Sequence, residues 1–259
     1  MEPAKQFNTR TVLILKGDRL YAESLKQHII RCFPRVHVRL TSTVAEADKA
    51  LTAEPVDLLV TGVGISLDGD VFELLAERVL PRRRAQRMLV VTCRREYRLL
   101  TALRAFTIDG LFDTNGEEPE RFIVALRAVS EGIRYWSPSM LEHMQRIGSS
   151  SNSLFRFLTS FEQLVLSIVG GGCDDMTAAD ELGLSPSTVS TTRRELHRKL
   201  GVQHRGELVR IAAQSGFVRF TPSGVVRPGF AGLLATYMAR RAKRAERDPQ
   251  VKLKTIQSV

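Results

Sequence analysis

Hydroxyl and guanidinium side chains recur at helical spacing between Ser187 and Lys199. Serine and threonine hydroxyls and arginine guanidinium groups bind phosphate oxygens, and arginine can also donate two parallel hydrogen bonds to a guanine edge. A helix that carries such groups on one side can therefore contact DNA in the major groove. The residues predicted to contact DNA are Ser187, Thr188, Val189, Ser190, Thr191, Arg193, Arg194, Arg198 and Lys199.

This stretch also carries the start and stop signals of a single helix. Ser185 and Ser187 can each accept a hydrogen bond from a first-turn N–H, and Pro186 needs no donor there. Gly201 follows Leu200 as a helix-terminating glycine, so the helix is predicted to run from Ser187 to Leu200. The residues expected to pack inward are Val189, Leu196 and Leu200. The residues expected to form an outward polar stripe are Ser187, Ser190, Thr191, Arg194 and Arg198.

Further helices are predicted on both sides of this one. Phe161–Val169 has apolar residues at helical spacing and stops at the three glycines 170–172. Met176–Leu182 reads as a short helix ended by Gly183, and a fourth helix is predicted before Gly216. A plain helical bundle with one charged face is the alternative. The agreement of so many start, stop and turn signals favours a helix-turn-helix unit.

Residues 158–218 resemble the carboxy-terminal DNA-binding domain of the LuxR/FixJ/NarL family. The matching positions are Leu158-Thr159, Glu162, Val165-Leu166, Ser185, Thr188-Val189 and Lys199-Leu200-Gly201-Val202. The resemblance implies a four-helix unit whose third helix reads the groove and whose fourth helix contributes to dimer contacts. The sequence departs from the family pattern at Ser190, Thr192 and Thr177, where Lys, His and Glu are frequent.

Residues 10–136 alternate between short apolar runs and amphipathic segments, which indicates strands alternating with helices. The predicted strands are Thr11–Leu15, Val36–Leu40, Val56–Thr61, Met88–Thr92 and Gly110–Phe112. The predicted helices are Leu20–Cys32, Val44–Leu51, Val71–Val79, Tyr97–Ala105 and Glu120–Gly132. Five such units predict a doubly wound, flavodoxin-like α/β domain with a parallel five-stranded sheet and functional groups at the carboxyl ends of its strands.

This order of elements is similar to the receiver domain of two-component response regulators. The segment Ile133–Pro138 is also similar to that family's usual exit from the receiver. The resemblance implies carboxylates after the first and third strands that hold Mg²⁺ beside a phosphorylatable Asp, because hard cations prefer oxygen ligands. It also implies a Lys after the fifth strand that pairs with the phosphoryl group.

The chain departs from that chemistry at each charged position. Lys16-Gly17 stands in place of the acid pair, Gly62 stands at the phosphoacceptor position, and no Lys occurs between residues 49 and 199. We therefore predict a pseudo-receiver without Mg²⁺, phosphorylation or any other cofactor. Its degenerate pocket is expected to comprise Lys16, Gly17, Gly62, Thr92 and Asp113. Lys16 and Asp113 could form a buried pair of opposite charge there, and the alternative is that each points to solvent.

Four segments are predicted along the chain. They are a receiver-like domain at 10–138, a linker at 139–157 that includes Ser149–Ser153, a helix-turn-helix domain at 158–220, and a basic extension at 221–259. The formal net charge of +10 is distributed as +3 over residues 1–150, +1 over 151–226 and +6 over 227–259. Most of the positive excess thus follows the helix-turn-helix, inside which acidic residues 174–175 and 180–181 disfavour phosphates.

The extension contains a predicted amphipathic helix at 229–246, after a turn-rich stretch from Pro222 to Pro228. The apolar stripe of this helix is Phe230, Leu233, Leu234, Tyr237 and Met238. Packing on the helix-turn-helix domain or on a partner subunit is the favoured interpretation. A basic arm along DNA phosphates and binding to a membrane surface are the alternatives. Residues 248–259 are expected to be disordered.

Other features exclude several classes of protein. The three cysteines fit no ligand or redox spacing, and no Ser-His-Asp set or metal-ligand cluster appears, so an enzyme is not expected. No apolar run approaches the length of a membrane span, and the amino terminus has no apolar signal segment, so we expect a cytoplasmic protein. The basic cluster Arg82–Arg87 is expected in a surface loop that is either solvated or in contact with DNA or a partner.

The sequence therefore predicts a dimeric, sequence-specific DNA-binding transcription regulator with a receiver that aspartyl phosphorylation does not control. Its expected partners are double-stranded DNA and a second copy of the chain, with RNA polymerase or another regulator as a further candidate. Tyr97–Ala105 and Glu120–Gly132 would supply the dimer surface. One alternative is a ligand-sensing LuxR-type regulator. The other is a protein–protein module whose helix-turn-helix no longer binds DNA, because residues 151–226 are nearly neutral.

Overall fold

The apolar runs of the amino-terminal half form the strands of one sheet. The computed structural model describes residues 9–63, 71–75, 84–106, 108–149, 157–222 and 224–247. The chain divides into two units, of which the first combines Met1–Ser153 with Ala213–Pro228 and the second combines Leu154–Ala212 with Gly229–Val259.

The sheet of the first unit has six strands, all parallel, in the order β2-β1-β3-β4-β5-β6. In chain order the strands are β1 (Thr11–Leu15), β2 (His37–Thr41), β3 (Val56–Thr61), β4 (Ala85–Thr92), β5 (Gly110–Asp113) and β6 (Tyr135–Trp136). The predicted doubly wound α/β fold is confirmed, but the predicted count of five strands is wrong. Tyr135–Trp136 is too short to show a periodic pattern, and it becomes a strand only by pairing with Gly110 and Leu111.

Helices cover both faces of this sheet. They are α1 (Arg19–Cys32), α2 (Val44–Ala53), α3 (Val71–Leu74), α4 (Tyr97–Ala105), α5 (Pro119–Ser130) and α6 (Pro138–Ser149). Side chains of a strand alternate between faces, so Leu13 packs in one core with α2, α3 and α4, whereas Ile14 packs in the other with α1 and α5. Helix α6 occupies most of the segment 139–157 that was predicted as a linker, because Met140 is fully buried against the first of these cores.

The second unit consists of helices. They are α7 (Ser160–Val169), α8 (Asp175–Leu182), α9 (Pro186–Leu200), the greater part of α10 (Arg205–Gln214) and α11 (Phe230–Arg247). The rings of Phe161 in α7 and Tyr237 in α11 stack with centroids 5.1 Å apart. The predicted amphipathic helix is thus present, and Tyr237 of its apolar stripe packs on α7, whereas Met238 of the same stripe is 43% exposed.

Residues 213–228 belong to the first unit, although the helix-turn-helix domain was predicted to extend to residue 220. The predicted turn-rich stretch is an antiparallel hairpin of β7 (Arg219–Thr221) and β8 (Gly224–Val226). Before it, the backbone N–H of Arg98 in α4 donates to the Ser215 carbonyl at 2.9 Å. That N–H is one of the first-turn donors that a helix leaves without an internal partner, so a contact distant in sequence caps α4.

Several expectations fall outside the described residues. They concern 76–79 at the end of the third predicted helix, 82–83 of the basic cluster, 150–156 of the linker and 248–259 at the carboxyl end. Among the helices that are described, none has the length and apolar character needed to cross a membrane.

Two glycines near the end of α9 offer a matched test of its predicted stop signal. Gly201 has φ of +64°, whereas Gly206 lies inside α10, and an added Cβ would meet no atom within 4 Å at either position. We expect Gly201→Ala to lower the free energy of unfolding by about 1–2 kcal/mol, because a left-handed backbone disfavours a Cβ. We expect Gly206→Ala to raise it by roughly 0.4–1 kcal/mol. Urea denaturation measures both, and equal midpoints would contradict the assigned helix end.

Candidate functional site

Helix α9 begins and ends where its sequence signals predict. The Ser185 hydroxyl accepts a hydrogen bond from the Thr188 N–H at 3.2 Å, and Pro186 occupies the first turn. Gly201 adopts the left-handed conformation, and its N–H and that of Val202 both donate to the His197 carbonyl. These caps satisfy backbone groups at both ends, so α9 keeps a defined length and orientation within its unit.

The inward face of α9 is apolar, as predicted. Val189 and Leu196 are fully buried and Leu200 is nearly so. Thr192 shares this face, and its hydroxyl donates to the Thr188 carbonyl at 2.9 Å. The prediction that Val189 contacts DNA is therefore wrong, since no surface of this side chain is available to a ligand. Its neighbours in sequence face outward, but its own position lies on the same face as Leu196.

The outward face of α9 carries the predicted polar stripe. Its exposed members are Ser187, Thr191, Arg194 and Arg198, and Ser190 is half-buried. Thr188, which was not predicted as part of the stripe, is exposed as well. The stripe begins at the amino-terminal end of the helix, where unpaired N–H groups and the helix dipole favour negative charge. This face is the candidate nucleic-acid interface.

Arg193, which was predicted to contact DNA, is held by an aspartate of the neighbouring helix. Its Nε and Nη2 each donate to a different oxygen of Asp175 in α8, both at 2.8 Å. These hydrogen bonds are the main reason that the pKa of Asp175 lies below, and that of Arg193 above, the ordinary value. A hydrogen bond from Ser190 to Asp175 adds to the lowering. A bidentate pair of this kind fixes α9 against α8 and leaves Arg193 less able to neutralise a phosphate.

Lys199, also predicted to contact DNA, joins α9 to α7. Its Nζ donates to Glu162 at 2.8 Å and to the Phe157 carbonyl at 3.1 Å. Glu162 also completes a capping box with Thr159 at the start of α7. Burial alone would raise the pKa of the Glu162 carboxyl, but the hydrogen bonds from Lys199 and Thr159 outweigh it and lower that pKa. Glu162 and Lys199, which match the family pattern in sequence, thus hold α9 on α7.

The remaining cations of α9 are two exposed arginines. Arg198 pairs with Glu195 one turn earlier at 2.7 Å, and 70% of its side chain is exposed, so this pair is weak and can exchange partners. Arg194 is exposed and forms no ion pair with the described residues of the chain. Arg194 is therefore the cation of α9 best able to meet a phosphate or a base edge.

The acidic residues at the start of α8 have structural partners. Asp174 is the N-cap of α8 and accepts a hydrogen bond from the Thr177 N–H at 2.8 Å, while Asp175 is neutralised by Arg193. Arg205, which the sequence reading missed, donates to the backbone carbonyls of Gly172 and Cys173 and closes the turn before α8. The helical pattern of the sequence could not predict the role of Arg205, because that role depends on a turn more than thirty residues away.

The five predicted pocket residues follow or end strands of the sheet in the first unit, so they meet at its carboxyl edge. Lys16 and Gly17 follow β1, Gly62 follows β3, Thr92 ends β4 and Asp113 ends β5. A Cβ added at Gly62 would lie 3.2 Å from Nζ of Lys16 and 3.3 Å from its Cδ. The Lys16 side chain therefore crosses the position that a larger residue at 62 would need.

Lys16 is half-buried in this edge. Its Nζ lies 4.5 Å from the centroid of the Tyr21 ring, a cation–π distance. Burial lowers the pKa of Lys16, opposed by the nearby Cys93 and Asp18. Burial also raises the pKa of Tyr21. Sequence reasoning missed Tyr21 and Cys93, because neither belongs to the charged positions that define an active receiver.

Asp113 is fully buried but does not pair with Lys16. Its carboxylate accepts hydrogen bonds from Arg95, from the Ser139 hydroxyl at 2.7 Å and from the Asn115 N–H at 3.1 Å. Burial would raise the pKa of Asp113, yet these hydrogen bonds together lower it below 3.8. The suggested Lys16–Asp113 pair is thus wrong, and so is the alternative that both side chains point to solvent. Arg95 was not foreseen as the partner, since it lies in the loop after β4.

The remaining polar residues of the sheet are also engaged locally. The Thr92 hydroxyl accepts a hydrogen bond from the Arg94 N–H at 3.0 Å. Asp18 caps α1 by accepting from the Tyr21 N–H, and Asp57 accepts from the N–H groups of Arg10 and Thr11, at the opposite end of β3 from the pocket. Among the described residues, no group of three His, Cys, Asp or Glu side chains could hold a metal ion.

Comparison with known proteins matches both parts of the chain. Residues 156–212 match the family of bacterial regulatory proteins of the luxR family, which identifies α7 to α10 as a LuxR-type helix-turn-helix. The response regulator GacA of Pseudomonas protegens is 35% identical over 109 residues, which cover 40% of this chain and 50% of GacA. The chain thus spans about half the length of that relative. The transcriptional regulatory protein MctR of Rhizobium johnstonii is 26% identical over 80% of this chain and 94% of MctR.

The fold of most of the chain also matches a solved structure. The complex of the two-component response regulator RcsB with DNA aligns with a TM-score of 0.55 at 20% identity, over 80% of this chain and 99% of RcsB. At that identity the likeness concerns the fold alone. The order of a receiver-like parallel sheet followed by a LuxR-type helix-turn-helix is therefore established for this chain.

The Asp113 cluster gives a prediction for stability. Asp113→Asn keeps the size of the side chain but leaves Arg95 without its buried counter-charge, so we expect the free energy of unfolding at pH 7 to fall by about 1.5–3 kcal/mol. Because the pKa of Asp113 is lowered in the folded state, the difference in free energy of unfolding between wild type and Asp113→Asn is full above the ordinary pKa of 3.8. This difference is lost as the pH falls through the folded-state pKa.

Urea denaturation at several pH values measures this difference, with the exposed Glu120→Gln as the matched loss of charge in the same unit. If the difference in free energy of unfolding between wild type and Asp113→Asn stays constant down to the most acidic pH, Asp113 is not charged in the folded state.

Proposed function

We propose that this chain, which joins a receiver-like sheet to a LuxR-type helix-turn-helix, is a DNA-binding transcription regulator. The observation that carries the proposal is the geometry of α9: a helix capped at both ends, buried through Val189, Leu196 and Leu200, with its opposite face polar and exposed. Such a helix can lie in a major groove and present hydroxyl and guanidinium groups to bases and phosphates. The relatives support this role, since MctR is a transcriptional regulatory protein and RcsB has been solved in complex with DNA.

The contacts with DNA divide into two kinds. Ser187, Thr188 and Thr191 are exposed hydroxyls near the amino-terminal end of α9 and suit phosphate oxygens or base edges. Arg194, without an ion-pair partner among the described residues, supplies the main cationic contact, and Arg198 can join it by leaving Glu195. Arg193 and Lys199 act indirectly, because their ion pairs fix the orientation of the helix.

The receiver-like unit works without aspartyl phosphorylation. Position 62 has no side chain to accept a phosphoryl group, and the Lys16 side chain lies across it. A cation after β1 also repels Mg²⁺ where an acid pair would attract it. The half-buried Lys16 and the Asp113–Arg95 pair would hold this edge of the sheet in one arrangement. Control of DNA binding would therefore come from dimer geometry or from a partner such as RNA polymerase or another regulator.

A dimer is the assembly that best suits this recognition helix. One short helix reads few base pairs, and two-fold pairing places two such helices on successive turns of the duplex. RcsB, in one of the aligned structures, is present as two dimers bound to two parallel DNAs. Helices α4 and α5 are the candidate dimer surface of this chain, and the exposed apolar side chain of Val124 lies on α5.

The role of Arg194 is tested by its replacement. For a duplex selected from a random pool, we expect Arg194→Gln to weaken binding by about 1–3 kcal/mol and to reduce the slope of log affinity against log salt by roughly one. Fluorescence anisotropy over a series of salt concentrations measures both quantities. Arg19→Gln, which removes an exposed charge from α1, is the control and should bind as the wild type does. Wild-type affinity and slope in Arg194→Gln would rule out this contact, and no binding by any form at low salt would favour the protein–protein module.

The absence of phosphorylation is tested with a small-molecule donor. After incubation with acetyl phosphate and Mg²⁺ we expect no gain of a phosphoryl group in the intact mass, because Gly62 offers no acceptor. The affinity for the selected duplex should also be unchanged. A phosphorylatable receiver protein in the same reaction serves as the positive control. A phosphoryl adduct on this chain, lost on alkaline treatment as an acyl phosphate would be, would overturn the pseudo-receiver assignment.

A further inference from the structure

A groove lies in the first unit, and none of its described lining residues belongs to the five pocket residues at the carboxyl edge of the sheet. Its volume is about 590 Å³, within the range of sites that bind small organic ligands. It lies between the last turn of α4, the strand β6 and the helix α6. Among the residues that the structure describes, those that line it are Arg104, Arg134, Trp136, Leu141, Met144 and Gln145.

The floor of this groove is apolar and aromatic. Trp136, the single tryptophan of the chain, and Met144 are half-buried, and Leu141 is 43% exposed although it is a large apolar side chain. A flat indole and a flexible thioether adapt well to a planar or alkyl ligand. The groove therefore offers burial to an apolar group of modest size.

The rim of the groove is positive. Arg104 and Arg134 are both exposed, and none of the six lining residues is acidic. The Arg134 guanidinium carbon lies 5.7 Å from the centroid of the Trp136 ring, so this cation is placed directly beside the aromatic floor. Two arginines that flank an apolar surface favour a ligand with one negative charge on an apolar body.

Trp136 adds an unused hydrogen-bond donor. Its indole Nε1 is buried and has no hydrogen-bond partner among the described residues. A buried donor without an acceptor destabilises the protein. Because this nitrogen is buried, the anionic group of a ligand would be held by the two arginines of the rim.

We propose that this groove binds a small amphipathic anion, an aromatic or alkyl carboxylate or sulfonate, whose apolar body packs on Trp136, Leu141 and Met144 and whose charge lies between Arg104 and Arg134. The site would give the receiver-like unit a chemical input in place of a phosphoryl group. It stands apart from α9, so its failure would leave the proposed DNA contact untouched.

The single tryptophan gives the test one defined energy donor, and the variants described below locate the bound dye in this groove. The probe is 8-anilinonaphthalene-1-sulfonate, an anionic aromatic dye, added to the full chain, and Trp136 is excited selectively. Dye bound in the groove lies beside Trp136, so we expect energy transfer from tryptophan to dye with saturation at one equivalent. Titration calorimetry gives the affinity, and N-phenyl-1-naphthylamine, an uncharged analogue, should bind roughly tenfold more weakly because it cannot use the arginines.

Variants separate charge from apolar contact. We expect the double variant Arg104→Gln/Arg134→Gln to bind the sulfonate roughly tenfold more weakly and the uncharged analogue as well as before. Leu141→Glu, at an exposed position that tolerates a polar residue, places a carboxylate in the groove and should abolish sulfonate binding. Arg19→Gln, an exposed arginine of α1 outside the groove, should bind both dyes as the wild type does.

The proposal fails if dye binding gives no energy transfer from Trp136, or if the double variant and Leu141→Glu bind the sulfonate as wild type does. It also fails if the transfer declines as protein concentration rises while sedimentation velocity detects dimers. That result would mean that a second copy of the chain covers the groove.

Discussion

The ion pairs that fix helix α9 on its neighbours determine how the second unit can meet DNA. Arg193 is bound to Asp175 of α8 through two hydrogen bonds, and Lys199 is bound to Glu162 of α7, a largely buried carboxylate that also caps that helix. Both cations, Arg193 and Lys199, were predicted from the sequence to contact DNA. The pairs make the helix rigid and set its direction, because α9 is tied at its middle to one helix and at its end to another. The exposed face is left with hydroxyl groups, Arg194 and Arg198. In the proposed DNA complex, affinity and specificity would therefore depend on few side chains held in a fixed geometry.

Charged side chains are also engaged by partners within the protein at the carboxyl edge of the sheet. A receiver that responds to phosphoryl transfer needs carboxylates that are free to bind a cation. In this chain Asp113 is neutralised by Arg95 and hydrogen-bonded to Ser139, while the Lys16 side chain lies over Gly62. Because these side chains already have partners within the protein, we propose that this edge of the sheet does not respond to a phosphoryl group. We propose that the groove lined by Arg104, Arg134 and Trp136 receives a chemical signal in place of a phosphoryl group.

Local signals in the sequence were sufficient for much of this structure. The caps and glycine stops of α9, the continuous apolar run of β1 and the apolar stripe of α11 each depend on near neighbours, and the structure has them where the patterns indicated. The errors share a different cause. Strand β6 exists only through pairing with β5, and the first turn of α4 is capped by a carbonyl more than a hundred residues away. The roles of Arg193, Lys199 and Asp113 depend on which distant side chain the fold brings beside them. The assignment of Val189 to DNA contact was the exception, since helical spacing alone places this residue inward.

The central claim is that the exposed face of α9 is the surface that binds DNA. Titration of the isotopically labelled full chain with a selected duplex, followed by transverse-relaxation-optimised amide NMR, tests it most directly. We expect the largest shifts at Ser187, Thr188, Thr191 and Arg194, with small shifts at Val189 and none at the Lys16–Gly62 edge. Shifts confined to the sheet or to α11, with the amides of α9 unchanged at saturation, would contradict the account.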